Sequence, residues 1–181
     1  MKGITSLKRE KIKIRRLSSK DLSKVEEFQD FFNSLIKEDA MIQANKKVTL
    51  NEERKWLIEK LKEIKKKRTL TLVAENRKKI VGIAEIKLDW GRQNHVGHYG
   101  IMVRKEYRRR GLGKCLTAEV LKLAKKELRP PPKIVRLSVY AENKPAIELY
   151  KKFGFREVAR IPKQGKFQNK LVDEIIMLLD L

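Results

Sequence analysis

The chain has 181 residues, of which 45 are Lys or Arg and 23 are Asp or Glu, and its formal net charge is +22 at pH 7. Its hydrophobic fraction of 41% is ordinary for a globular protein and excludes an intrinsically disordered chain. The length fits one domain, residues 1–181, that is able to bury a core. The positive charge attracts nucleic acid, acidic proteins, anionic lipid or polyphosphate cofactors without selecting among them. A lysine-rich surface suited to a salty or hot environment explains the charge equally well.

The single cysteine, Cys115, excludes an internal disulfide framework and a cysteine-based metal cluster. No apolar run reaches the length of a transmembrane helix. The basic N-terminal segment, residues 1–16, lacks the apolar core of a signal peptide. We therefore predict a cytoplasmic protein without a membrane segment, and the two histidines, His95 and His98, do not suggest a metal site.

In chain order, the pattern begins with a strand over residues 11–17, followed by two helices. Ser18 and Ser19 are candidate N-caps for the first helix. Thr49 and Glu52 form a capping box at the start of the second helix. The apolar positions at helical spacing predict these core residues: Leu22, Val25, Phe28, Phe32 and Leu35 in the first helix, and Trp56, Leu57, Leu61 and Ile64 in the second.

The next three strands are predicted to form an antiparallel meander. They cover residues 70–75, 80–90 and 95–103, and polar turns at 76–79 and 91–94 connect them. The alternation in the longest strand predicts one shared face for Ala84, Ile86, Leu88 and Trp90.

A helix follows Gly113 and ends before Pro130–Pro132, because proline cannot continue a helix. A buried strand over residues 134–140 precedes a short helix, in which Pro145 suits the first turn and Gly154 suits the C′ position.

Two final strands, near residues 155–161 and 171–181, flank a polar loop over residues 162–170. The resulting element order is βααβββαβαββ, which indicates a mixed α+β domain without an internal repeat or a linker.

The loop Arg108–Lys114 joins the third strand of the meander to the helix that follows. Gly111 and Gly113 let its backbone approach a ligand closely, and the helix N-terminus turns unpaired N–H groups toward it. Such a terminus, flanked by basic side chains, binds phosphate groups. A Rossmann fingerprint is disfavoured, because the preceding strand is antiparallel and the third glycine and the acidic residue are missing. A Walker A loop is excluded, because no Gly-Lys-Ser/Thr sequence follows.

Two sequence blocks resemble the GNAT superfamily of N-acetyltransferases. They are YGIMVRKEYRRRGLGKCLTAEVLKLA, residues 99–124, and LSVYAENKPAIELYKKFGF, residues 137–155. The resemblance implies a GNAT-like mixed, mostly antiparallel sheet of about seven strands flanked by about four helices. The matching positions are Arg108-x-x-Gly111-x-Gly113 in the family's pyrophosphate loop, and Asn143, Ala146, Tyr150 and Gly154-Phe155 in its second signature.

The resemblance also implies acetyl-CoA as co-substrate and a primary amine as acceptor, with direct attack in a ternary complex. The backbone of Ile101 and Val103 would pair with the pantetheine arm in a gap between two strands, where Gly100 would ease a bulge. Asn143 would contact the cofactor or orient the site. The cofactor-binding residues that the resemblance implies are Ile101, Met102, Val103, Arg108, Arg109, Arg110, Gly111, Leu112, Gly113, Lys114, Asn143 and Tyr150.

Two side chains are the predicted catalytic residues. The resemblance implies that Tyr150 lies near the thioester sulfur and assists the departing thiolate. Glu85, on the polar face of its strand, is predicted to take the proton of the amine. His98 and Glu142 stay open as alternative bases. In the ribosomal-protein alanine acetyltransferase branch a glutamate lies five residues before the signature asparagine, whereas this chain has Ser138 there.

Two other functions stay open from the sequence. A nucleic-acid-associated protein on an acetyltransferase-like scaffold would use the net charge, although the chain lacks a recognition-helix motif and an aromatic RNA-binding signature. A CoA-binding regulatory protein would bind acetyl-CoA without turnover. The acceptor, whether a protein N-terminus, a lysine or a small-molecule amine, is not specified, and neither is homodimer formation. The lysines of residues 162–170 disfavour a polyamine.

Overall fold

The computed structural model describes residues 5–7 and 12–181, whose eight strands form one sheet. The strands are β1 (Thr5–Leu7), β2 (Ile12–Arg16), β3 (Thr69–Asn76), β4 (Lys79–Leu88), β5 (Val96–Val103), β6 (Ile134–Tyr140), β7 (Arg156–Phe167) and β8 (Lys170–Asp180). The α-helices are α1 (Val25–Lys37), α2 (Leu50–Lys65), α3 (Leu112–Glu127) and α4 (Lys144–Lys152). The predicted mixed α+β fold is confirmed, with the short strand β1 as the addition to the predicted order.

The strand order in the sheet is β1-β2-β3-β4-β5-β6-β8-β7. The pair β5–β6 is parallel, and the other neighbouring pairs are antiparallel. The meander of β3, β4 and β5 is as predicted. Among the residues that the structure describes, no helix combines the length and the apolar character needed to cross a bilayer.

Alternating side chains give the sheet two buried faces, because successive residues of a strand point to opposite sides. Leu72 and Ala84 belong to the larger apolar cluster, which includes residues of α3 and α4. Val73 and Ile83 belong to a second cluster with residues of α1 and α2. Helices therefore cover both faces of the central strands, which explains why β3 and β4 are almost continuously apolar.

The capping box predicted for α2 is confirmed. The Glu52 N–H donates to Thr49 Oγ1 at 3.3 Å, and the Thr49 N–H donates to Glu52 Oε2 at 2.7 Å. In α1 the prediction of Phe32 as a core residue is wrong. Phe31 is fully buried, whereas Phe32 is half-buried on the flank of the apolar face that Phe31 shares with Leu35.

The helices α3 and α4 agree with their sequence patterns. Leu116, Val120 and Ala124 recur at helical spacing in α3, and all three are buried. Gly154 follows α4 at φ +89°, a left-handed conformation that favours glycine and ends the helix.

The final hairpin differs from the prediction, because residues 162–167 belong to β7 and not to a loop. Pairing between β7 and β8 shifts register between Ile161 and Gly165, so an irregularity absorbs Pro162 in an edge strand. The actual turn is short: Gln168 and Asn169, at φ +47° and +61°, connect the two strands.

Two smaller expectations are also corrected. The pairing of β4 with β5 is continuous from Gly82↔Val103 to Leu88↔Gly97, so no bulge occurs at Gly100. Trp90 lies beyond the end of β4 and is 84% exposed, so it does not share the buried face of that strand.

Candidate active site

The strands β5 and β6 separate near the middle of the sheet. Their parallel ladder runs from Val96↔Ile134 to His98↔Arg136 and ends there. Beyond that point, within the described part of the chain, the second half of β5 pairs only with β4, and the second half of β6 pairs only with β8. One edge of each strand half is therefore left without a strand partner, and an extended ligand is able to hydrogen-bond to such an edge. This opening between β5 and β6 is called the strand gap below.

The N-terminus of α3 follows directly on β5. Gly111, the residue before the helix, has φ +85°, and no side chain of residues 12–181 caps the helix. The first bond of the helix joins the Cys115 N–H to the Gly111 carbonyl at 3.0 Å. The amides of the first turn point out of the helix without intrahelical partners. Two left-handed residues, Arg109 at φ +58° and Gly111, turn this backbone into a concave loop.

Gly113 brings α3, α4 and β5 together. A Cβ at this position would lie 3.3 Å from Leu149 Cδ2 of α4 and 3.9 Å from Ile101 Cδ1 of β5. Glycine at this position thus avoids a crowded contact with Leu149 and allows the first turn of α3 to pack closely against α4 and β5.

Arg108 has a structural contact in this loop. Its Nε donates to the Val103 carbonyl at 2.8 Å, and its guanidinium pairs with Glu38, which follows α1. The side chain thus ties the loop to the end of β5 and to the α1 layer. The Val103 carbonyl accepts this hydrogen bond from Arg108. The Val103 N–H is therefore the backbone group of this residue that could still bind a ligand.

Tyr150 lies on the face of the sheet that α3 and α4 cover. It is 7% exposed, and its ring meets those of Tyr99 and Phe155 with centroids 5.9 Å apart in each case. Its hydroxyl has no hydrogen-bond partner among the described residues and is not sealed from solvent. Burial raises the pKa of Tyr150 to about 12, so the hydroxyl keeps its proton at neutral pH.

Glu85 lies on the opposite face, toward α2. Its carboxylate pairs with the Lys60 ammonium and accepts a hydrogen bond from Thr71 Oγ1 at 2.8 Å. Across the β4–β5 ladder, Glu85 is opposite Gly100, at which a Cβ would meet nothing within 4 Å. Glycine at that position leaves open space beside the carboxylate.

Tyr150 and Glu85 therefore lie on the two sides of β5, the strand that forms one wall of the strand gap. The sequence predicts each residue separately, whereas their arrangement on opposite faces follows from the tertiary structure. A hydroxyl on one face is able to donate a proton to a leaving group, and a carboxylate on the other face is able to accept a proton from an attacking group. The arrangement therefore suits general acid–base catalysis.

The remaining predicted residues have local partners. Asn143 caps α4, because its side chain accepts a hydrogen bond from the Ala146 N–H at 3.4 Å. His98 Nε2 lies 2.9 Å from Asp89 Oδ2, and this hydrogen bond lowers the pKa of Asp89. Glu142 is exposed.

Glu53 is a residue that sequence reasoning missed. It belongs to the buried side of α2 together with Leu57 and is 6% exposed, and its carboxylate has no ion pair or hydrogen bond among the described residues. Burial raises the pKa of Glu53 to about 7. The signal in the sequence was a carboxylate one turn before an apolar core position, which the adjacent Glu52 of the capping box obscured.

The model of the acetyltransferase (GNAT) family matches residues 29–155 of the chain. This chain belongs to the GNAT family of acetyltransferases. The matched residues include the strand gap, the loop of residues 108–114 before α3 (called the α3 loop below) and α4. The GNAT region of the chain is therefore also the region of the candidate site.

Two curated N-acetyltransferases are similar to parts of the chain. The L-amino acid N-acetyltransferase AaaT of Escherichia coli (strain K12) is 36% identical over 86 residues, which are 48% of this chain and 52% of that protein. An N-alpha-acetyltransferase of Sulfurisphaera tokodaii is 35% identical over 112 residues, 57% of this chain and 64% of that protein. The chain thus spans between half and two thirds of the length of these relatives.

The GNAT fold extends over nearly the whole chain. The solved structure of Salmonella typhimurium yncA with its cofactor acetyl-CoA superposes with a TM-score of 0.77 at 19% identity, covering 94% of this chain and 94% of that one. At this identity the likeness concerns the fold.

Proposed function

We propose that this GNAT protein transfers the acetyl group of acetyl-CoA to a primary amine by direct attack in a ternary complex. The observation that carries the proposal is the strand gap between β5 and β6 beside the uncapped N-terminus of α3. When bound, acetyl-CoA supplies an acyl group that is activated as a thioester.

The chain offers two kinds of contact to that co-substrate. The amides from Arg109 to Lys114 suit the pyrophosphate, because unpaired N–H groups at a helix N-terminus attract anions and the loop is basic. The free edge of β5, at Ile101, Met102 and Val103, suits the amide groups of an extended arm. Asn143 caps α4 and is proposed to orient Tyr150 through that helix.

Tyr150 is proposed to donate its hydroxyl hydrogen to the departing thiolate. Two features support this role: the hydroxyl has no hydrogen-bond partner among the residues that the structure describes, and the raised pKa of Tyr150 keeps it protonated. A thiol has a reference pKa of about 8.5, so this donor helps the reaction without being indispensable.

Glu85 is proposed to accept the proton that the amine loses, directly or through water. Lys60 and Thr71 hold the carboxylate in one orientation, and the space at Gly100 gives access to it. A carboxylate has about four acceptor positions, so these two contacts leave capacity for a third.

The acceptor that we propose is the α-amine of an amino acid or of a peptide N-terminus. Both curated relatives are named for acetylation of such amines. The chemistry agrees, because an α-amine has a reference pKa of about 7.7–8.0 and a lysine amine about 10.4. Near neutral pH a larger fraction of an α-amine than of a lysine amine is already unprotonated, so less proton removal is needed before it attacks.

A free-thiol release assay tests this function. The purified protein would be given acetyl-CoA with amino acids, with peptides that have a free N-terminus, with the same peptides blocked at the N-terminus but containing lysine, and with polyamines. We expect turnover with the first two classes. Binding of acetyl-CoA without turnover in any class would contradict the proposal and favour a regulatory protein.

We also propose a cytoplasmic location, since the chain has one cysteine and thus no internal disulfide.

A further inference from the structure

A cavity of about 330 Å³ lies at the C-terminal end of α3, between the end of β2, the end of α2 and the beginning of β3. The 16 residues of α3 separate it from the loop at the other end of that helix, a distance of roughly 24 Å at about 1.5 Å per residue. It is called the basal cavity below. Its volume lies at the lower end of the range of small-molecule sites, about 300–1,000 Å³.

Four cationic side chains line the basal cavity, namely Arg16, Lys67, Lys126 and Arg129. They come from three separate parts of the chain, so the fold and not a local lysine run brings them together. Glu127 is the carboxylate in the lining, and it pairs with Arg16, whose Nε lies 3.0 Å from Glu127 Oε2.

The other cations keep their charge uncompensated. The ammonium groups of Lys67 and Lys126 make no ion pair or hydrogen bond among the described residues. Arg129 Nη1 donates to the carbonyls of Lys126 and Leu128 at 2.8 and 2.7 Å, and these neutral contacts do not offset its charge. A concave site with several unpaired cations focuses a field that attracts anions.

The lining also contains an unsatisfied hydroxyl and apolar surface. Thr69 is 2% exposed, and its Oγ1 is buried without a hydrogen-bond partner among the described residues. A buried hydroxyl without a partner is costly, and an ordered water or ion is one way in which native proteins satisfy such a group. Leu17, Ile64 and Leu70 supply apolar walls.

We propose that the basal cavity binds a small organic phosphate. The dianionic phosphate would lie between the Lys67 and Lys126 ammonium groups, because several point charges suit a group of more than one negative charge. The organic body would pack on Leu17 and Ile64. This site is separate from the acetyl-CoA site proposed above, and neither proposal depends on the other.

Calorimetric titration with phenyl phosphate and with inorganic phosphate, at one ionic strength set with NaCl, tests the proposal. Phenyl phosphate should bind about tenfold more tightly than inorganic phosphate, because its ring removes apolar surface from water. Phenol, which lacks the charge, should not bind. Absence of phenyl phosphate binding to the wild-type protein would overturn the proposal.

A matched pair of double variants assigns the site. Lys67→Gln with Lys126→Gln should weaken phenyl phosphate binding at least about tenfold, because two charged contacts are lost. Lys66→Gln with Lys125→Gln changes the net charge equally at the neighbouring positions, which do not line this cavity, and should have little effect. Equal weakening in both would mean a diffuse surface field and would overturn the proposal. Acetyl-CoA binding should stay unchanged in both double variants.

Discussion

The rings of Tyr99 and Tyr150 meet edge to face, with centroids 5.9 Å apart and planes at 90°, but their hydroxyl groups differ. The Tyr99 hydroxyl lies 2.7 Å from Thr117 Oγ1 within the core. The Tyr150 hydroxyl has no partner among the described residues. Two tyrosines in contact thus differ: the hydroxyl of Tyr99 is hydrogen-bonded in the core, and that of Tyr150 is not hydrogen-bonded to any described residue.

Removal of each hydroxyl separates these roles. Tyr150→Phe should lower kcat about tenfold or more, with acetyl-CoA binding unchanged, because the leaving thiolate loses its hydrogen-bond donor. Tyr99→Phe should cost about 1 kcal/mol in the free energy of unfolding and leave kcat unchanged. Steady-state kinetics and chemical denaturation of both variants check this. An equal loss of kcat in both would argue that the effect of Tyr150 is only structural.

The pH dependence of kcat/KM identifies the acceptor and tests Tyr150. Since the pKa of Tyr150 is raised to about 12, its hydroxyl remains a donor through pH 10. For an α-amine, kcat/KM should rise to a plateau above about pH 8 and should not fall before pH 10. A falling limb near pH 9 that disappears in Tyr150→Phe would contradict this assignment.

Charge at the α3 loop should abolish the effect of acetyl-CoA on thermal stability. Acetyl-CoA at 100 times its Kd should stabilise the wild-type protein by about 2.7 kcal/mol. Gly111→Asp should lose this stabilisation, because it adds a carboxylate beside the proposed pyrophosphate site.

The matched control is Gly91→Asp, which changes an exposed glycine at φ +59° away from the loop. Both variants carry the same backbone cost of a non-glycine residue at positive φ, about 1 kcal/mol. The rise in unfolding temperature that acetyl-CoA causes in Gly91→Asp should resemble the rise in the wild-type protein. A normal shift with Gly111→Asp would mean that the pyrophosphate binds elsewhere.

Glu85→Gln should lower kcat/KM about tenfold or more near neutral pH, and the loss should shrink above pH 9, where the α-amine has already lost its proton. Lys60→Gln is the control, because it breaks the same ion pair but keeps the carboxylate. A loss that is independent of pH, or an equal loss in Lys60→Gln, would assign Glu85 a structural role only.

Glu53→Gln should stabilise the protein, and the effect should depend on pH. Burial raises the pKa of Glu53 from 4.5 to about 7 in the folded state, so the folded state binds more protons than the unfolded state between these values. Wild-type stability therefore falls as the pH rises through this range. Above pH 7 the variant should gain about 2 kcal/mol, allowing for partial solvent access of the carboxylate, and below pH 4 it should gain almost nothing.

Denaturation at pH 4 and pH 8 measures this difference, with the exposed Glu59→Gln as control. A gain that is the same at both pH values would show that Glu53 is not desolvated.

Local signals in the sequence predicted most elements correctly. The capping box of Thr49 and Glu52, Gly154 after α4 and the apolar runs of β3 to β6 depend on neighbouring residues, so a single sequence contains them. The prediction of where β7 ends was wrong. Polar residues and Pro162 indicate a loop there, whereas pairing with β8 continues past an irregularity. Cross-strand pairing overrides such local preferences.

The sequence by itself determined the fold class, the phosphate-binding character of the loop at Arg108–Lys114 and the resemblance to GNAT acetyltransferases, since these follow from spacing and residue type. Only the tertiary structure decided that the β5–β6 ladder ends at His98, that Tyr150 and Glu85 lie on opposite faces of β5, and that Glu53 is buried. It also brought Lys67 and Lys126 to one cavity. These relationships join residues far apart in the chain, and their distances and burial depend on packing that no local pattern encodes.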